Sequence, residues 1–268
     1  MFGIQPTVYK SCLGSGKLTL ATEGILKCGQ SRTPPNVLSA SPTLSKKLAA
    51  EAVGTFVFVL VGAGSAVGTA SLVGPNSAAA VLVAALANGL GLGVAISATM
   101  AVSGGALNPA VTLGLWAGRK LKSRDVVPYI VAELVGATAA GLALEASFPS
   151  ALGDSVKWGS PTLSGALTAA QGMAVEGLLT FVLVFAVYGT AVDPRAPRIG
   201  GLGIGLAVVA DVLVAGNLTG AAMNPARAFG PMIASGFYPG YWYIYLVGPV
   251  VGGIAAGLVY RFLIESRA

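Results

Sequence analysis

Long apolar segments separated by short polar loops occupy the chain from Leu48 almost to its C-terminus. Six of these segments are long enough to cross about 30 Å of hydrocarbon, which takes about 20 helical residues. Their approximate limits are 48–71, 78–102, 126–147, 168–192, 199–216 and 241–264. This pattern predicts an all-α membrane protein with six transmembrane helices.

Two further apolar segments, 108–117 and 224–234, are too short to cross the hydrocarbon layer. A helix of ten residues spans about 15 Å, which is half of the thickness. The irregular backbone that leads into such pieces is tolerated only where it is buried in protein or lines a water-filled cavity. Short, Gly- or Pro-interrupted apolar segments in corresponding halves point to a translocation site, so we expect two re-entrant half-helices here.

The same tripeptide opens both short segments. Asn108-Pro109-Ala110 and Asn224-Pro225-Ala226 are 116 residues apart, and an identical shift places Tyr129 of the third span on Tyr245 of the sixth. The match therefore extends beyond the tripeptides into the long spans that follow them.

The first and fourth spans also share a pattern, Glu-x-x-x-Thr-Phe, at 51–56 and 176–181. Each half of the chain contains three spans, and because three is an odd number the second copy must insert upside down. We therefore expect one channel domain over 46–265, built as an inverted repeat of about 46–147 and about 168–265.

Composition supports a membrane protein. Apolar residues make up 54% of the chain, Asp, Glu, Lys and Arg only 10%, and the mean hydropathy is +0.78. Soluble domains carry about 25% charged residues. Much of this protein's surface must therefore face something other than water.

The charge of +6 is unevenly distributed. The loops near 72–77, 146–165 and 217–240 hold few bases, whereas the chain near 46, 120, 196 and 265 holds nearly all of those that follow the first 45 residues. This distribution follows the positive-inside rule and predicts that both termini are cytoplasmic. It opposes nucleic-acid binding, and we take the plasma membrane as the default location.

Residues 1–45 are polar and rich in Ser, Thr, Gly and Pro. They predict a disordered cytoplasmic tail; a transit peptide or a misassigned start codon would give the same composition. Both cysteines, Cys12 and Cys28, lie there, so no disulfide is expected in the core. The chain has no histidine, which excludes histidine-dependent hydrolases and zinc sites. We expect no catalytic residue, no metal and no cofactor.

Each Asn-Pro-Ala begins a helix for a physical reason. Proline suits the first helical turn, and the preceding asparagine is a strong N-cap whose side-chain oxygen accepts a backbone hydrogen bond. The asparagine NH₂ group is then expected to be left to donate. The inverted symmetry brings both N-termini, each with roughly +0.5 charge, to the middle of the membrane. Such opposed dipoles exclude protons and cations while passing water.

The stretches Ser103–Thr112 and Gly220–Arg227 resemble the two signatures of the aquaporin (major intrinsic protein) family. The resemblance covers about 46–265. It implies six tilted helices plus two half-helices, a homotetramer in the lipid bilayer with one pore per subunit, and passage of water and small neutral solutes. The motifs are most similar to those of vacuolar-type plant members and of mammalian or archaeal members that pass ammonia, urea or hydrogen peroxide; glycerol is a further candidate.

The resemblance also places a selectivity filter at four positions: Asn88, Val212, Ala221 and Arg227. Water-selective members typically have an aromatic residue at the first of these positions and a histidine at the second. Glycerol facilitators usually have two aromatic residues in the filter and an aspartate after the arginine, where this chain has Ala228. We therefore expect a wide, half-apolar filter. A structural ion pair with Asp211, or an exposed side chain, is the alternative for Arg227.

Four acidic residues lie inside apolar spans. The resemblance implies that Glu51 and Glu176 are structural and accept hydrogen bonds from backbone N–H groups of the re-entrant loops. Glu133 has no obvious partner, and Asp211 is expected either near Arg227 or in a helix interface. Such carboxylates would also suit a proton- or ion-coupled secondary transporter, which is the main alternative function. An enzyme and a purely structural adhesion protein are weaker alternatives.

Overall fold

The computed structural model describes residues 41–74, 77–197 and 199–264, and only the last five residues of the predicted 1–45 tail lie within this part. All the secondary structure in these residues is helical. The helices, numbered in chain order, are α1 (Leu44–Thr69), α2 (Ala78–Thr99), α3 (Pro109–Ala117), α4 (Ser123–Ser147), α5 (Ser150–Ser155), α6 (Ala169–Val187), α7 (Gly200–Ala215), α8 (Pro225–Ser235) and α9 (Ile244–Val259).

Five of these helices have the length and composition of membrane crossings, and a sixth is shorter. Within the described residues, three helices are long and apolar enough to cross a membrane by themselves: α1, α2 and α4. Two more, α6 and α9, do so together with the wider turns that follow them, Tyr188–Val192 and Tyr260–Ile264. The sixth, α7, has 16 residues and a length of about 24 Å. With α3 and α8 as half-helices, the predicted all-α architecture is confirmed.

The outer faces of the long helices are apolar. Val53, Val94, Val127, Leu178 and Val214 lie on five different helices, and each is at least 60% exposed. Scattered exposed apolar residues are normal in soluble proteins, but exposed apolar faces on every long helix are not. These faces suit contact with lipid chains.

The pairing of the helices has the symmetry of the inverted repeat. In each half the first helix packs on the last, α1 on α4 and α6 on α9. Each half-helix packs on a helix of the opposite half: α3 lies against α9, and α8 lies against α4. The two halves meet along α2 and α7, so the half-helices are enclosed between them.

Glycines set the separation of α2 and α7. A Cβ atom on Gly205 would lie 2.4 Å from the carbonyl oxygen of Gly89, and one on Gly201 would lie 2.4 Å from that of Gly93. Small residues allow membrane helices to approach this closely, and dispersion contacts then replace the hydrophobic driving force that lipid cannot supply.

Four predicted helix boundaries were wrong by three or four residues. The helix α1 begins at Leu44 rather than 48, and α2 ends at Thr99 rather than 102. The helix α4 begins at Ser123 rather than 126, because the polar residues at its start are helical although they are not apolar. The helix α9 begins at Ile244 rather than 241, because Tyr241–Tyr243 form a turn. The short helix α5 and the turn Lys157–Gly159 were not predicted, since six residues are too few to show a helical period.

Candidate functional site

The two loops that lead into α3 and α8 share a backbone conformation that is unusual for L-residues. Their φ angles are positive at Gly104, Gly105 and Leu107 and at Gly220, Ala221 and Met223, which are the same positions after the 116-residue shift. Three of these residues are not glycine, and a left-handed conformation costs each of them about 1–2 kcal/mol. The surrounding contacts must therefore hold both loops in place.

Buried carboxylates supply part of that support. Glu51 of α1 accepts hydrogen bonds from the backbone N–H groups of Ala106 at 3.1 Å and Leu107 at 2.7 Å. Glu176 of α6 accepts from Ala222 at 3.0 Å and Met223 at 2.7 Å.

Two further contacts extend this set. Glu176 also accepts from the hydroxyl of Thr219 at 2.7 Å. The tyrosines matched by the shift support the outer part of each loop: the hydroxyl of Tyr129 donates to the carbonyl of Ser103 at 2.8 Å, and that of Tyr245 to Thr219 at 2.9 Å. Symmetric contacts thus fix the two loops.

The two asparagines join the half-helices at their N-termini. The Oδ1 of Asn108 accepts from the N–H of Ala110 at 2.8 Å, and the Oδ1 of Asn224 accepts from the N–H groups of Ala226 and Arg227 at 2.9 and 3.2 Å. The Nδ2 of each also donates across the symmetry axis, from Asn108 to the Met223 carbonyl and from Asn224 to the Leu107 carbonyl, both at 2.9 Å. The expectation that the NH₂ groups are left to donate is therefore only half correct, because each uses one of its two hydrogens inside the protein.

Arg227 lies in the first turn of α8 and is buried. Its Nη1 donates to the carbonyl of Gly159 at 2.9 Å, and its Nε approaches the Oδ1 of Asn88 at 3.4 Å. The Nδ2 of Asn88 donates to the carbonyl of Ala84 on its own helix at 2.9 Å. The guanidinium is thus held from two sides.

One cavity of about 280 Å³ contains three of the four predicted filter positions. Asn88, Val212 and Arg227 line it, together with Gly220. Ala221 is buried beside Gly220 but is not among the lining residues.

The family model of the major intrinsic protein matches residues 38–260. The chain belongs to the major intrinsic protein family. Aquaporin TIP4-4 from Zea mays is 43% identical over 225 residues, which cover 81% of this chain and 86% of the relative. Aquaporin AqpM from Methanothermobacter marburgensis is 35% identical over 257 residues, covering 82% of this chain and 98% of the relative. The resemblance inferred from the motifs is confirmed.

A solved structure shows the same fold. The aquaglyceroporin from Plasmodium falciparum matches with a TM-score of 0.74 and 22% identity, over 83% of this chain and 97% of that one. As a member of the major intrinsic protein family, the chain is an integral membrane protein and a passive channel for water and small solutes.

The turn Lys157–Gly159 is a part of this channel that the sequence did not reveal. All three residues have positive φ angles, and the turn is anchored by Trp158, which is buried and donates from Nε1 to Asp154 at 2.9 Å. A Cβ on Gly159 would lie 2.7 Å from the Cα of Ala63, so the Cα of Gly159 packs closely against α1 while its carbonyl accepts from Arg227. No periodicity marks such a turn.

Ser160 follows this turn and lines the same cavity as Arg227. Its side-chain oxygen is buried and has no hydrogen-bond partner within the described part of the chain.

Of the two remaining buried acids, Glu133 differs from the expectation. Glu133 does have a partner, because the hydroxyl of Thr112 on α3 donates to its Oε1 at 2.7 Å, while its Oε2 has none among the described residues. The pair was missed because the 116-residue shift replaces these positions with Ala228 and Pro249. Asp211 is buried on α7, and the described contacts of Arg227 do not include it, so the proposed ion pair is not found.

Proposed function

We propose that this channel conducts water and small uncharged solutes and excludes protons and ions, with Asn108 and Asn224 at its centre. The observation that supports this most directly is the reciprocal hydrogen bonding of the two asparagines, which brings the positive ends of α3 and α8 together. Each helix end is equivalent to roughly +0.5 elementary charge. A dehydrated cation in the pore meets both ends at once.

Protons are excluded by the orientation of a water molecule at this point. Each asparagine retains a second N–H, and the two N–H groups donate to the oxygen of one water. Both hydrogens of that water then point away along the pore, so it cannot accept a proton from a neighbouring water and pass it on. The fixed amides supply this orientation without rearrangement, since Asn108 and Asn224 are each held by at least two hydrogen bonds.

The filter lies at Asn88, Val212, Ala221 and Arg227. Arg227 supplies a fixed positive charge and several donors that bind a solute oxygen. Val212 and Ala221 are apolar and bulky aromatic groups are absent from these four positions, so the aperture admits ammonia, urea, hydrogen peroxide or glycerol in addition to water.

The protein assembles as a homotetramer with one pore per subunit, and both termini are cytoplasmic. The orientation is supported by the bases near the start of α1, between α3 and α4, between α6 and α7, and at the end of α9. Six crossings put all four places at one end of the subunit.

A coupled carrier is a poorer explanation of the buried carboxylates. A proton relay needs carboxyl groups that gain and lose protons during transport. Both oxygens of Glu51 and of Glu176 accept hydrogen bonds from the re-entrant loops, and a proton on either group would break a contact that holds the pore.

Stopped-flow measurements on liposomes containing the purified protein test the proposal. Water flux and urea flux should exceed those of empty liposomes, whereas the decay of an imposed pH gradient should not. A urea flux equal to that of empty liposomes overturns the wide filter. Solute uptake driven by a pH gradient or by membrane potential overturns the passive channel in favour of the carrier.

A further inference from the structure

A basic groove lies at the end of the subunit that carries the positive clusters. It runs between the loop that joins α3 to α4 and the last turns of α9, and its volume is about 740 Å³. Arg119, Lys120, Lys122 and Arg261 line it, and none of its described lining residues is acidic. Like charges brought this close repel one another, so an anionic occupant would stabilise the arrangement.

The same groove has an apolar wall. Ile254 and Leu258, one turn apart on α9, form one side, and Trp116 at the end of α3 forms another. The indole N–H of Trp116 donates to the hydroxyl of Ser123 at 3.0 Å, which fixes the ring at the start of α4. A small inorganic anion would use the bases but not this wall.

The apolar wall is continuous with the lipid-facing side of α9. Val251 and Phe262, on either side of Leu258 along the helix, are 61% and 67% exposed. The groove therefore opens where the apolar belt of the protein meets its charged end. Tryptophan and basic residues mark this interface in membrane proteins.

We propose that the basic groove binds the phosphate head group of an anionic phospholipid, with an acyl chain along Leu258 and Val251 of α9. The phosphate binds Arg119, Lys122 and Arg261, and the acyl chain covers the exposed apolar side of the helix. Basic pockets between transmembrane helices on the cytoplasmic side are suited to such head groups. A zwitterionic lipid is a poorer occupant because its own cation faces the same bases.

The chain's own N-terminal segment does not suit the groove. Residues 1–40 contain a single acidic residue, Glu23, and four bases. Their charge has the same sign as that of the groove, so a lipid phosphate is the better complement.

The test uses the full-length protein purified in neutral detergent. Its thermal unfolding midpoint is measured during titration with phosphatidylglycerol or with phosphatidylcholine that carries the same acyl chains. Phosphatidylglycerol should raise the midpoint at lower concentration, since a ligand that binds only the folded state stabilises it. The triple variant Arg119→Gln, Lys122→Gln and Arg261→Gln should weaken its apparent affinity by roughly a hundredfold, at about 1 kcal/mol for each base.

A matched triple variant, Lys46→Gln, Lys47→Gln and Arg124→Gln, removes the same charge from residues that do not line the groove. It should keep the wild-type response. Equal loss in both triple variants would show a general charge effect and overturn the site, as would equal responses of the wild type to the two lipids. Inorganic phosphate or glycerol phosphate that reproduces the shift at the same concentration would overturn a lipid as the occupant. The single variant Lys122→Gln, at an exposed position, repeats the comparison if the triple variant does not fold.

Discussion

Asn108 and Asn224 each donate a hydrogen bond to the backbone carbonyl that immediately precedes the other, so the two residues are linked reciprocally across 116 positions of sequence. The link joins the N-termini of two half-helices that belong to opposite halves of the chain. It makes the centre of the pore a product of the inverted repeat, because neither half contains both the donor and the acceptor.

The substitution Asn224→Asp isolates the donor function of this pair. Aspartate is as good an N-cap as asparagine, so the bonds from Ala226 and Arg227 should remain. The bond to Leu107 is lost, and a negative charge replaces a donor between the two positive helix ends. We expect proton exclusion to fail, and the unfolding free energy to fall by about 1–3 kcal/mol. A pH-sensitive dye inside liposomes measures the first effect.

Asn217→Asp is the control for that experiment, because Asn217 is exposed in the loop after α7. It introduces the same charge outside the pore and should leave proton leakage at the wild-type level. Unchanged proton exclusion in Asn224→Asp would contradict the role given to the amide.

The substitution Gly159→Ala should release Arg227. Its Cβ would overlap α1 at Ala63, and its φ of +76° disfavours any side chain, so the carbonyl that accepts from Nη1 must move. We expect the ratio of urea flux to water flux to change by more than twofold, because the guanidinium loses one of its two anchors. Stopped-flow light scattering measures both fluxes in one preparation.

Gly165→Ala provides the comparison from the same loop, since a Cβ there meets nothing within 4 Å and φ is not positive. Its flux ratio should equal that of the wild type. If Gly159→Ala shares that ratio while folding normally, the turn does not position the filter arginine.

The substitution Asn88→Phe tests the width of the filter. Asn88 lines the cavity that also contains Val212 and Arg227, and a phenyl ring at this position would occupy part of its roughly 280 Å³. Water is small enough to pass beside the ring, whereas urea is not. Urea flux should therefore fall at least severalfold more than water flux.

Leu90→Phe is its control, because Leu90 is on the same helix but 53% exposed on the lipid-facing side. This variant should change neither flux. A parallel fall of water and urea in Asn88→Phe would indicate that the ring closes the pore rather than narrowing it, and would contradict the filter assignment.

The symmetric parts of this molecule were the predictable ones. Asn108 and Asn224, and the helices that carry Glu51 and Glu176, are repeated, and a repeated pattern is visible in a single sequence. The asymmetric parts were not predictable. Gly159 lies 68 residues before Arg227 and contacts it through its backbone carbonyl. Because every residue has such a carbonyl, the residue type at this position does not indicate the contact.

The pair Thr112–Glu133 shows a second reason for failure. Thr112 lies on α3 and Glu133 on α4, and the two meet only because α3 folds back into the protein. The 116-residue shift, which revealed the other contacts, gives Ala228 and Pro249 at these two positions. Contacts that exist in one half alone need the structure.

The seam between α2 and α7 should be sensitive to a small increase in side-chain volume. In Gly205→Ala the new methyl group would lie 2.4 Å from the Gly89 carbonyl and 3.2 Å from the Cα of Gly93, and backbone atoms cannot rotate away as a side chain can. Overpacking of this kind costs about 1–3 kcal/mol, so the thermal unfolding midpoint should fall.

In Gly68→Ala, on α1, the methyl group meets nothing within 4 Å, and the higher helix propensity of alanine should leave the midpoint unchanged or raise it. Both variants are measured by thermal denaturation in the same detergent. A midpoint for Gly205→Ala at or above that of Gly68→Ala would mean that the two helices can separate without loss, and that their glycine contact does not hold the two halves together.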